Sequence, residues 1–322
     1  MATIAIIGTG AVGGYYGARL AQAGHDVRFL ARSDYEQIKA HGLDIRSHEG
    51  DFRLQPAQVF RSAEDIGVVD WVICALKTTS IEAAPGLIAP CAGPATRIVA
   101  LMNGLGIEDR LAAQFARRRV FGAMAFVCIN RLGPGVIHHL KYGRLSIGHL
   151  EDDATENAQL AELLRSANLD VVVAPNLRWA RWDKLCWNIP FNGLSVAAGG
   201  IGTEAITGDP LLRGTAERAM REVVELGNAD LAAASSADRL DPAEVTARMF
   251  SLTDTMGDYH TSMVLDYALG RPLEVETILG EPSRRATSLG IPTPTTDTLY
   301  SLVRAADLRR RGLIPSVGGD DI

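Results

Sequence analysis

The sequence predicts an α/β N-terminal half built on a doubly wound sheet, followed by an all-α C-terminal half. Three observations carry this. Short apolar strands alternate with helical periodicity up to about residue 173. Pro175 marks a change, after which strand signals give way to helical stretches. A length of 322 residues accommodates about two domains of ~150 residues each.

The elements follow in order. Residues 3–7 form an apolar strand that stops at Gly8. Residues 11–23 carry helical spacing and end at Gly24, and residues 26–31 read as a second strand. Further strands are expected at 70–76, 98–101, 120–129, 144–147 and 170–173, with helices at 79–88, 107–117 and 156–167. Buried strands alternating with helices argue for a mostly parallel sheet, although the later strands need not all be parallel. Helical stretches then follow at 177–187, 211–233, 242–249, 272–289 and 295–311. The expected domains are 1–174 and 175–311, with a loosely ordered tail at 312–322.

Composition narrows the function. A formal charge of −6 is a poor basis for general nucleic-acid binding. No apolar run approaches the ~18 residues of a membrane span. The N-terminus has no basic segment leading into an apolar one, which argues against a signal peptide. Cys74, Cys91, Cys128 and Cys186 show no metal-ligand spacing and read as reduced, buried thiols of a cytoplasmic protein.

Gly8-Thr9-Gly10-Ala11-Val12-Gly13 is a G-x-G-x-x-G set between strand and helix, the context of a Rossmann-type dinucleotide site. Glycines let backbone N–H groups approach a pyrophosphate at the positive end of the helix. The plainer reading is a Gly-rich turn that only lets helix and sheet pack closely, the role expected of Gly14 and Gly17. An NAD site usually has an acid at the end of the second strand. Here Arg32 stands there, and its planar fork suits a 2′-phosphate, which selects NADPH over NADH. The alternatives are a solvated Arg32 and a competing role for nearby Asp34.

Ligands of open α/β sheets sit beyond the carboxyl ends of the strands. Lys77 follows one such strand and Asn103 another, each open also to a plain reading as strand end or Asn-Gly turn. Lys184, Asn188 and Asn192 recur every four residues and share one helix face, with Trp187 and Phe191 alongside. A lysine among aromatics is partly desolvated and suits proton donation to an alkoxide. The plainer reading is a snorkelling lysine with two locally bonded asparagines. Pro190 should kink this helix before Asn192.

These motifs together resemble the ketopantoate reductase family over nearly the whole chain. The carrying segments are the glycine turn, Asn103-Gly104, the Lys184/Asn188/Asn192 helix, Ser262-Met263, and Gly270-Arg271-Pro272-Leu273-Glu274-Val275-Glu276. The resemblance implies that Gly8, Gly10, Gly13 and Arg32 hold NADPH, with Lys77 and Asn103 beside its nicotinamide and ribose. It makes Lys184 the general acid, and Asn188, Asn192, Ser262 and Glu274 substrate contacts. The implied reaction is reduction of 2-dehydropantoate to pantoate, a step towards pantothenate. The chain departs from the family pattern at Glu276, where an Asp is usual, at Leu279, where an Asn is usual, and in having Pro190 before Asn192. Reduction of a different 2-oxo acid, or a non-catalytic dinucleotide-binding regulator, are the other readings. The long helices of the second half offer a face for a homodimer.

Overall fold

A computed structural model describes residues 1–315. Most of the tail expectation, residues 316–322, lies outside the described residues. The chain divides into two compact units, Met1–Ala180 and Arg181–Ile322.

In the first unit, β1 (Thr3–Ile7), α1 (Ala11–Gln22) and β2 (Asp26–Leu30) form the opening βαβ unit. They are followed by α2 (Tyr35–His41), β3 (Leu43–Ser47), β4 (Phe52–Leu54), β5 (Gln58–Phe60) and β6 (Trp71–Cys74). A short 3-10 turn leads into α3 (Ala84–Ile88), and then come β7 (Arg97–Ala100) and α4 (Ile107–Ala112). The unit continues with β8 (Val120–Gly133), β9 (Val136–His149), α5 (Ala154–Arg165) and β10 (Val171–Val173).

The strands make one mixed sheet in the order β4-β3-β9-β8-β7-β6-β1-β2-β5, with β10 also on β9. The run from β8 to β5 is parallel, and β8–β9 is a long antiparallel hairpin. Alternate residues of the central strands feed opposite faces. Ile4, Ile6, Ile73 and Val99 pack on the α1 side, while Ala5, Ile7, Val72 and Ile98 pack on the other.

Sequence reading missed β3, β4, β5 and α2, and it extended the helix after Gly106 past Ala112, where α4 ends. The polarity of His138 and His139 suggests surface positions, but neither is exposed. His138 is half-buried, and His139 is fully buried. The His139 ring lies against Tyr15 (4.4 Å) and His48 (4.6 Å). Its Nε2 lies 2.8 Å from the Tyr142 carbonyl, so that nitrogen donates, and Nδ1 lies 2.9 Å from Ser47 Oγ. Both ring nitrogens are therefore satisfied, which makes burial tolerable. Burial holds His139 below the ordinary histidine range. All four cysteines are free and buried.

The helix α6 (Leu177–Ala197) contains the division between the units and supplies the opening residues of the second. The second unit continues with α7 (Thr203–Gly208), α8 (Pro210–Ala233), α9 (Pro242–Asp254) and α10 (Ser262–Ala268). A π turn at Glu276–Gly280 then leads into α11 (Glu281–Leu289) and α12 (Pro294–Arg310). No strand occurs there among the described residues. Side-chain caps start several helices: Asp209 accepts from the Leu211 and Leu212 N–H groups, and Asp241 from that of Glu244. The helix α12 is capped from outside, because both oxygens of Glu222 on α8 accept from the N–H groups of Thr295 and Thr296 at 2.9 and 2.8 Å.

The helix α6 continues through Pro190 as one segment. Proline removes one helical hydrogen bond. Burial of Ile189, Phe191 and Leu194 around it holds the helix together against that loss. Among the described residues, no helix is long and apolar enough to cross a membrane, and no cluster could hold a metal ion.

Candidate functional site

The six residues read from the sequence as cofactor contacts lie at or just beyond the carboxyl ends of four neighbouring parallel strands. In sheet order β2, β1, β6 and β7, the strands lead into Arg32, the glycine turn, Lys77 and Asn103. Adjacent strands are ~4.8 Å apart, so these chain segments form one continuous rim. Arg32 and Lys77 are exposed on it, and Asn103 is half-buried.

The glycines have distinct duties. Gly8 has φ +102°, and a Cβ there would lie 2.8 Å from the Ala75 carbonyl carbon and 2.9 Å from the Leu76 nitrogen. A Cβ on Gly13 would lie 2.3 Å from the Gly8 carbonyl oxygen. Both positions are closed to any side chain by the protein's own backbone. Gly10 is different, because a Cβ there would meet nothing within 4 Å. Its φ of −86° is also ordinary for any residue. Nothing in the fold requires glycine at position 10, so the free space above it suits a ligand's approach. The first turn of α1 has no acidic side chain, and its leading N–H groups have no intrahelical acceptor. The residues present therefore fit the pyrophosphate of a dinucleotide.

This separation of roles gives a direct test. Gly10→Ala should leave the thermal unfolding midpoint within about 2 °C of wild type, since no contact or dihedral is strained. It should weaken dinucleotide affinity by about tenfold or more, measured by fluorescence titration. Gly13→Ala should lower the midpoint clearly.

The end of β2 clarifies the competing acid. Asp34 is buried, and its carboxylate is occupied by the Ser33 hydroxyl (2.8 Å), the Gly135 N–H (3.3 Å) and Arg131 (3.2 Å). It binds the β8–β9 turn. Arg32 makes no hydrogen bond or ion pair among the described residues.

In the second unit, Lys184, Asn188 and Asn192 form one buried stripe along α6. Neighbouring side chains fix the helix's rotation. Trp182 Nε1 donates to Asp230 (2.8 Å), which also binds Arg285. Asp183 pairs with Arg248, and Trp187 Nε1 donates to Thr253 Oγ1 (2.9 Å). Burial of Arg248 works against its charge, but the hydrogen bond and charge of Asp183, with the charge of Glu244, together outweigh it and hold the guanidinium above its usual range. The Lys184 ammonium lies 5.4 Å from the Trp187 ring centroid, and Trp187 stacks on Phe191. A ring face favours the charged ammonium. Burial pushes the Cys186 thiol far up, so it stays protonated and takes no part as a nucleophile.

The stripe is polar, and its two asparagines are not fully satisfied. Asn188 Nδ2 and Asn192 Oδ1 are buried without a hydrogen-bond partner. So is Ser195 Oγ, three residues beyond Asn192 on the same face. Sequence reading missed Ser195, although its position continues the helical spacing. An unmade buried hydrogen bond costs about 1–3 kcal/mol. Three on one face mark a surface arranged for a polar ligand. Ser262, half-buried, begins α10 behind the Thr261 cap, and Glu274 is buried just after the loop that leaves α10. Glu276 is not part of this set: Arg284, Arg304 and the Tyr300 hydroxyl hold it at the exposed side of the π turn.

Comparison with known proteins gives a consistent picture. The family described as "Ketopantoate reductase PanE/ApbA" matches residues 4–152, and its C-terminal counterpart matches residues 176–307. The chain is similar to a 2-dehydropantoate 2-reductase of a Nostoc species, 36% identical over 95% of this chain and 96% of that one. The fold is similar to the crystal structure of a 2-dehydropantoate 2-reductase from Geobacter metallireducens. That match has a TM-score of 0.90 and 39% identity, covering 94% of this chain and 99% of that one. A D-mandelate dehydrogenase in complex with NADH is also similar, with a TM-score of 0.82 and 25% identity over 97% of this chain and 100% of that one.

Proposed function

The chain belongs to the ketopantoate reductase family of oxidoreductases, and from that premise we propose that it reduces a 2-oxo acid with NADPH, 2-dehydropantoate being the leading substrate. The observation that carries the reading is the buried stripe of Lys184, Asn188 and Asn192, with two amide atoms lacking partners. A regulator that only sensed a dinucleotide would have no use for a buried cation beside unsatisfied amides on a separate unit.

The residues divide the work as follows. Backbone N–H groups at the start of α1 receive the pyrophosphate over Gly10, and Arg32 receives the 2′-phosphate. Lys77 and Asn103 line the same rim, where the nicotinamide and ribose would lie. The bound cofactor supplies a hydride to the substrate's carbonyl carbon. Asn188 Nδ2 is a donor and suits an oxygen of the keto acid, while Asn192 Oδ1 is an acceptor and suits a hydroxyl. Ser262 adds a hydroxyl at the start of α10. Glu274 accepts a hydrogen bond from the substrate's terminal hydroxyl. The Lys184 ammonium polarises the carbonyl oxygen and delivers a proton to it as the alkoxide forms, leaving neutral lysine to be reprotonated.

The fall in NADPH absorbance with 2-dehydropantoate and several smaller 2-oxo acids tests the assignment. Turnover fastest with 2-dehydropantoate supports it. Turnover only with another acid changes the substrate, and tight NADPH binding without oxidation by any acid would overturn the enzyme reading.

A further inference from the structure

The loop between α10 and Glu274 is fastened to α12. At the end of α10, the Gly270 N–H bonds the Tyr267 carbonyl (3.1 Å) and the Arg271 N–H bonds the Asp266 carbonyl (2.9 Å), with Gly270 at φ +65°. This is a Schellman closure. Pro272 has no N–H to place. The next N–H, that of Leu273, donates to Oδ1 of Asp307 at 3.0 Å. Each backbone donor over residues 270–273 is thereby accounted for, and Asp307 holds the last one before Glu274.

Asp307 is itself built in. It is 7% exposed, and its other oxygen pairs with Arg311 at 3.1 Å. One turn along α12, Arg310 donates to the Tyr267 and Ala268 carbonyls at 3.1 and 2.9 Å. The helix α12 thus grips both the exit of α10 and the residue preceding Glu274.

We propose that Asp307 is a positioning residue for Glu274, fixing the backbone that presents the Glu274 carboxylate to the substrate's hydroxyl. This rests on the reading of Glu274 given above. Loosening the Leu273 N–H lets the carboxylate drift by a fraction of a hydrogen-bond length. That drift weakens only the contact made by the hydroxyl.

The test compares 2-dehydropantoate with trimethylpyruvate, which has the same carbon skeleton and lacks only the hydroxyl. With NADPH saturating, Asp307→Ala should raise KM for 2-dehydropantoate about five- to tenfold, the size of one lost hydrogen bond. KM for trimethylpyruvate should stay within about twofold. Asp307→Asn keeps an acceptor oxygen and should restore most of the wild-type KM. The readout is a ratio between two acids in one preparation, so a partly unfolded sample does not mimic the effect. If the alanine variant fails to fold, Asp307→Glu displaces the acceptor and should move the ratio the same way. An equal rise in KM for both acids, or a loss confined to kcat, overturns the proposal. Glu274→Ala is the control and must abolish the preference for the hydroxylated acid. If it does not, the reading of Glu274 fails and the role of Asp307 falls with it. If Glu274→Ala abolishes the preference and Asp307→Ala retains it, only the Asp307 proposal is wrong.

Discussion

Lys184→Ala should lower kcat by about 10²–10⁴-fold, the range for loss of a positioned acid. The KM for NADPH should change little, because the groups assigned to hold NADPH, the glycine turn and Arg32, do not include Lys184. Histidines are the competing donors. His139 is locked between Tyr15 and His48 with both nitrogens engaged. His25 sits at the amino edge of the sheet against the Ala2 N–H and Ser166. His260, exposed two residues before Ser262, is the serious rival. A histidine donor breaks the pH–rate profile near ~6.5. The measurement is kcat against pH for wild type, Lys184→Ala and His260→Ala. Loss of the break in His260→Ala, with Lys184→Ala still active, would remove Lys184 from the role.

Arg32→Ala should weaken NADPH by about 10- to 100-fold, since a charge-assisted hydrogen bond contributes about 1.5–3 kcal/mol. NADH, which lacks the 2′-phosphate, should bind within about threefold of its wild-type affinity. The contrast depends on Asp34 staying occupied. Its bonds to Arg131 and the Gly135 N–H take the carboxylate away from the rim, where it would repel the phosphate. Titration of both cofactors against wild type and variant decides the matter. Equal weakening of the two would mean that Arg32 does not read the phosphate.

Where the sequence carried a strong period, it predicted well. The opening strand–glycine–helix unit, the apolar strands β6 and β7, and the long helices of the second unit were legible because burial on one or both faces fixes their pattern. The strands β4 and β5 were not. Each has three residues, too few to show alternation. The burial of His139 was not legible, because its polarity predicts exposure. Only the register of β9 against β3 brings Ser47 to its ring. In the site, the spacing of Lys184, Asn188 and Asn192 was enough to find the stripe. Ser195 was passed over because a serine near a helix end usually bonds the local backbone. The Leu273–Asp307 contact spans residues far apart in the chain and leaves no local signature.

The segment Glu276–Gly280 winds as a π turn. Thr277, Ile278, Leu279 and Gly280 are all buried, whereas consecutive α-helical residues advance by about 100° each and so point to all sides. A π turn amounts to one residue inserted into an α-helix. Losing a single residue here would wind the turn back to α and leave α11 close to its present orientation relative to Glu274. Gain or loss of one amino acid is therefore absorbed more readily here than in the tethered loop upstream. Glu276 and Leu279, the positions at which the resemblance leads one to expect Asp and Asn, fall within this segment. Positions one residue apart there lie on different sides of the helix, so substitutions at the exposed Glu276 and the buried Leu279 act on different surroundings.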